Sequence, residues 1–100
     1  MKYAEALGIR VVPEFDNPGH VRAVGHDPYF NEIVRCFNKD WPSTVRPDGF
    51  KVKGGPPLGV LDPSYEKTYE LMMGLIKDFN ETFPDNMIHL GGDEVFSSCF

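Results

Sequence analysis

Two short stretches hold the side chains best suited to moving protons: D-N-P-G-H at residues 16–20 and G-G-D-E at residues 91–94. In the first, Asp16 and His20 stand either side of a Pro-Gly turn. In the second, Asp93 and Glu94 are adjacent behind two glycines. A carboxyl can donate or accept a proton in a reaction when its surroundings poise it to do so. The adjacent acids therefore pose a choice between capping a structural element and forming one wall of a site. Each motif also has a plainer explanation. Asp16 could close an Asx turn with Asn17-Pro18, His20 could be a hydrogen-bonded structural histidine, and Asp93-Glu94 could favour a helix N-terminus. His26 and His89 have no metal-ligand spacing with other His or Cys residues, so no metal site is expected.

The elements that must position these groups can be read in order. Residues 1–7 read as the tail of a helix, with Gly8 placed to end it. Residues 9–15, IRVVPEF, are rich in β-branched residues and closed by Asn-Pro and Gly, which predicts a strand. Pro13 lacks an amide hydrogen and suits an edge or a local irregularity. Residues 21–57 show no sustained period and carry the turn signals Trp41-Pro42, Arg46-Pro47-Asp48-Gly49 and Gly54-Gly55-Pro56-Pro57. They read as a long excursion with one short helix over residues 28–37. A clear helix follows, with Asp62 as N-cap and Pro63 at its first position. Tyr65, Tyr69, Met72, Ile76, Phe79 and Phe83 give it one apolar stripe, and Pro84 ends it. Residues 87–90, MIHL, predict a second strand stopped by Gly91-Gly92.

A strand–helix–strand unit of this size gives parallel strands through a right-handed crossover. Both acid-bearing turns then fall at the C-terminal ends of neighbouring strands, where functional groups collect in α/β folds. Two parallel strands leave their outer edges and faces unpaired. The expectation is therefore that residues 1–100 are one piece of a larger barrel or open sheet.

Bulk properties narrow the classes further. With 41% hydrophobic and 25% charged residues, the 100-residue chain is globular rather than disordered. A net charge of -5 disfavours binding to nucleic acid. No apolar run approaches the roughly 20 residues of a membrane span. Residues 1–10 lack the apolar core of a signal peptide. Two cysteines, Cys36 and Cys99, define no disulfide framework by themselves, and composition favours two free thiols. The sequon Asn80-Glu81-Thr82 lies at an expected helix end and weighs little.

Taken together, GIRVVPEFDNPGH and LDPSYEKTYELMMGLIKDFNETFPDNMIHLGGDEVFSSC resemble the β-N-acetylhexosaminidases, the family 20 glycoside hydrolases. The resemblance is strongest over residues 8–20 and 58–99. The family pattern usually has Thr where this chain has Asn17, and Trp where it has Phe100. The resemblance implies a (β/α)8 TIM barrel in which the two expected strands are the third and fourth. It implies hydrolysis of terminal β-linked N-acetylhexosamine with retention, assisted by the substrate itself. In that chemistry the 2-acetamido carbonyl attacks the anomeric carbon and forms a cyclic oxazolinium intermediate.

By the same resemblance, Glu94 matches the general acid/base, a role that needs a carboxyl still protonated at working pH. Asp93 matches the residue that orients the acetamido group and stabilises charge on its nitrogen, and it must stay ionised. His20 matches the histidine that tunes the acid/base. Asp16 matches the aspartate supporting a sugar-binding arginine, which would lie upstream. Cys36 and Cys99 correspond to a disulfide, implying a lysosomal or secreted setting. The implied substrates are N-acetylhexosamine-terminated glycans, glycolipids or chitooligosaccharides, with no cofactor; a dimeric parent is left open. Two alternatives stand beside this reading. One is a non-catalytic remnant with weak sugar affinity; the main reading also expects the isolated chain to be inactive, because half the pocket is missing. The other is a nucleotide cyclase of the GGDEF type, which would require a hairpin before Gly91.

Overall fold

The computed structural model describes residues 1–39 and 58–100 and, between them, the backbone of two short strands. Helix α1 spans Lys2–Ala6, and Gly8 follows at φ +69, the left-handed position that ends a helix cheaply only at glycine. The expected strand over residues 9–15 pairs with residues 87–90 in the expected parallel sense, but through the single bridge Glu14–His89. His89 N–H donates to Pro13 C=O (2.9 Å), and Phe15 N–H donates to His89 C=O (3.1 Å). One rung earlier along this ladder the donor would be the nitrogen of Pro13, which carries no hydrogen, so the pairing stops there. Nearer the chain start, Arg10 forks onto the Asp85 carboxylate and joins the same two segments away from the turns.

Over residues 21–39 the excursion has more regular structure than its sequence suggests. In place of a helix over residues 28–37, the chain makes a 3-10 turn at Asn31–Ile33 and then strand β1, Val34–Arg35. The Asp27 carboxylate accepts the N–H groups of Tyr29 and Phe30, the bonding that opens a helix, yet the chain follows it only with the single 3-10 turn before β1. A further 3-10 turn spans Arg22–His26. Strands β2, Thr44–Val45, and β3, Lys51–Val52, pair antiparallel with each other. The remaining turn signals of residues 40–57 lie outside the described residues. Strand β4, Val60–Leu61, pairs antiparallel with β1, Val34 opposite Leu61 and Arg35 opposite Val60.

The core forms around this β1–β4 pair. Ile33, Val60 and Leu61 are sealed from solvent, and Ile33 and Leu61 form one cluster with Val21 and Val34. Helix α2 spans Glu66–Thr82, so it starts later than Asp62 and Pro63 imply. Asp62 does not cap it: its carboxylate accepts both the backbone N–H and the hydroxyl of Ser64, and it pairs with Arg35. Those bonds make a side-chain-closed turn, and the helix begins only beyond it. The Asp62 C=O accepts the Thr68 hydroxyl, which locks the turn to the first helical coil. The apolar stripe divides. Tyr65 and Met72 pack on the core, whereas Tyr69 and Ile76 are exposed.

Candidate active site

The two acid-bearing turns lie against each other at the C-terminal side of the parallel bridge. His20 and Glu94 both take left-handed backbone conformations, φ 57 and 51. For non-glycine residues this costs on the order of 1–2 kcal/mol each, a strain typical of sites where geometry is held for a purpose. The result is contact between motifs distant in the chain. His20 Nε2 lies 3.1 Å from Glu94 Oε2 and 3.8 Å from Asp16 Oδ2. Asp16 Oδ1 accepts the Gly92 N–H at 3.1 Å, tying the first turn to the backbone of the second. Asp93 joins the same cluster: a donor atom from each of Asp16, His20 and Asp93 lies within 4.8 Å of the others. Acidic groups near a surface commonly gather without an ion, and the grouping carries no metal assignment.

Glycines make this approach possible. A Cβ on Gly91, at φ +68, would sit 2.0 Å from Asp16 Oδ1. No side chain fits there, and the conformation itself favours glycine. Gly19 is pressed in the same way onto the carbonyl of Asp93, 3.1 Å from where its Cβ would stand. The Asn17-Pro18 peptide bond is cis. The Asn17 side-chain amide donates to Phe15 C=O (3.0 Å) and to Leu90 C=O (2.8 Å).

A covalent tie completes the frame. Cys36, directly after β1, is bonded to Cys99, with Cα atoms 5.6 Å apart. The free-thiol reading from composition is thus overturned. Nothing in two isolated cysteines announces a bridge; the fold brings them together. His26 stands apart from the site, edge-on to the Phe37 ring and 3.1 Å from Arg22. His89 accepts the Gly91 N–H through Nδ1 at 3.1 Å. The same nitrogen is 3.3 Å from Glu14 Oε2. One nitrogen cannot both accept from an amide and donate to a carboxylate. The Gly91 amide can only donate and an ionised Glu14 can only accept, so Nδ1 serves one of them at a time, according to whether it carries the proton.

Asp16, His20, Asp93 and Glu94 are therefore assembled in one place. A carboxyl touched by an imidazole, beside a second carboxylate, is equipped for proton transfer and for stabilising nearby positive charge. His89 bridges in parallel to Glu14 in a distant segment and, among the described residues, not to a preceding hairpin partner, which is not the setting of a GGDEF signature. The sequence profile described as glycosyl hydrolase family 20, catalytic domain, matches residues 1–100. The chain belongs to glycosyl hydrolase family 20. It is 36% identical over its whole length to the β-hexosaminidase subunit beta of Mus musculus. It is 37% identical over its whole length to a probable β-hexosaminidase of Arthroderma benhamiae, and 38% identical over 98 residues to a β-hexosaminidase of Emericella nidulans. It spans 16% of the length of each of these relatives. No solved structure matches the chain. Among the described residues no helix is long and apolar enough to cross a membrane.

Sequence reasoning passed over Asn17 as part of the site. The only signal was chemical: an amide among turn residues, with two N–H groups to place.

Proposed function

We propose that residues 1–100 carry one wall of the active site of a β-N-acetylhexosaminidase. In this reading Glu94 protonates the leaving glycosidic oxygen and then activates water. Asp93 orients the 2-acetamido group as its carbonyl attacks the anomeric carbon, and balances the charge that develops on nitrogen. His20 holds and tunes Glu94, and Asp16 braces the surrounding turns and supports the sugar site. The carrying observation is the 3.1 Å contact between His20 Nε2 and Glu94 Oε2 across two separate turns. Family membership supplies the reaction class, and the named relatives supply hexosamine-bearing glycans as the substrate class.

The bridged segments are, on this view, neighbouring strands of a (β/α)8 barrel, with α2 as the crossover helix and the turns at its catalytic rim. The Cys36–Cys99 bond supports an oxidising compartment, lysosomal or secreted. The deciding experiment uses the full-length gene product on aryl β-N-acetylglucosaminides with good and poor leaving groups. Glu94→Gln should lower turnover of the poor-leaving-group substrate by about 100-fold or more, and that of the good one far less. Equal, small effects on both substrates would remove the acid/base role.

A further inference from the structure

Beyond the parallel bridge the backbone ladder is broken, and the break is filled by a side chain. If the ladder continued regularly from the Glu14–His89 bridge, Gly91 N–H would donate to Phe15 C=O and Asn17 N–H to Gly91 C=O. Neither bond forms. Gly91 N–H turns to His89 Nδ1, 3.1 Å away. Asn17 N–H donates one residue short, to Leu90 C=O at 3.2 Å. Phe15 C=O has lost its ladder donor and receives Asn17 Nδ2 at 3.0 Å, while the same amide reaches Leu90 C=O at 2.8 Å. An NH₂ group has two hydrogens and a carbonyl oxygen has two lone pairs, so this pattern uses the capacity of both.

The one-residue break has a consequence for chemistry. It lets the chain enter the left-handed turn at Gly91 and Gly92, φ +68 and +115, and return Glu94 onto His20. We propose that Asn17 is a positioning residue, whose amide bridges Phe15 and Leu90 and so sets where Asp93 and Glu94 stand relative to His20. The proposal rests on the reading of Glu94 as acid/base. Asn17 touches neither Glu94 nor any reacting atom; it acts through the Leu90–Gly92 backbone. Nearly isosteric Asp at this position has no donors and would set a carboxylate against two carbonyls. Thr keeps one donor and can serve only one of them.

The test compares Asn17→Thr, Asn17→Asp and wild type in the full-length gene product. Two readouts are used: kcat and KM on an aryl β-N-acetylglucosaminide, and amide exchange at Gly91 and Gly92. Misplaced catalytic groups should lower kcat about 10- to 100-fold in Asn17→Asp and less in Asn17→Thr. KM should stay within about threefold, since a misplaced acid weakens the transition state more than ground-state binding. Exchange at Gly91 and Gly92 should quicken in both variants while α2 keeps its protection. Wild-type kcat and unchanged exchange in Asn17→Thr and Asn17→Asp would overturn the proposal. So would a fall in melting temperature accompanied by unchanged kcat. Should the wild type fail to hydrolyse the glycoside, the acid/base reading falls, and amide exchange in Asn17→Thr still decides whether the clamp exists.

Discussion

The β1–β4 core and the paired acid-bearing turns sit side by side and are held together by opposite means. The core is made of sealed aliphatic side chains, Ile33, Val60 and Leu61, which burial stabilises without directional demands. The first turn is half-buried and the second mostly open to solvent, and polar contacts between small groups hold them: Asp16 to the Gly92 amide, Asn17 to two carbonyls, His20 to Glu94. Single hydrogen bonds each contribute only about 1 kcal/mol net, so the turns depend on geometry more than on energy. The contrast teaches that stability and placement of reactive groups are separable in this chain, although the two regions meet at Pro18, whose C=O accepts the Leu61 N–H.

The largest effect should come from the core. Leu61→Ala removes a side chain that is 1% exposed and should cost about 2–5 kcal/mol in chemical denaturation of the full-length gene product. The comparison predicts that kcat of the molecules still folded falls by less than about threefold; a collapse of kcat without loss of stability would break it. Next is the disulfide, the covalent tie between the regions, since Cys36 follows β1 and Cys99 follows Glu94. A bridge spanning 63 residues typically contributes about 2–4 kcal/mol. Reduction should hasten amide exchange over residues 93–100 before it affects β1 and β4, and uniform loosening would erase the distinction.

The smallest effect sharpens the core side. The Asp62 carboxyl is held below its ordinary value near 3.8 because Ser64 donates to it through N–H and hydroxyl, with Arg35 adding to the effect. A depressed folded value stabilises the fold fully at neutral pH, and that contribution is lost as acid drives the pH down through it. Asp62→Asn should therefore flatten the loss of stability below pH about 4 and leave the dependence above it unchanged. An identical acid limb in variant and parent would show that Ser64 and Arg35 contribute nothing to the turn.

Much of this arrangement was legible because it followed from strong local signals. Gly8 ends α1, Pro84 follows the end of α2, and the strand–helix–strand order implied the parallel pairing that brings residues 16–20 beside residues 91–94. What escaped was short or competitive. Strands β1 and β4 have two residues each, too few to show an alternating pattern. Asp62 has the composition of a helix cap, but its bonds to Ser64 close a turn first. Asn17 was read as a turn former and as a departure from the family's usual Thr, but not as a clamp, since that role depends on a carbonyl at Leu90 that no local window contains.

The Arg10–Asp85 fork works as a measuring mark. Arg10 lies four residues before Glu14, and Asp85 lies four before His89, so both ends of the fork stand at the same height below the bridge. With Arg10 exposed the ion pair contributes modest energy, although Asp85 is largely covered. As a gauge it does more, because sliding either segment by one residue would pull the fork apart by about 3.3 Å. The same slide would carry Asn17 away from Leu90. Fastened at its base and at its rim, the pair of segments has only one alignment that satisfies both, and in that alignment the imidazole of His20 meets the carboxyl of Glu94.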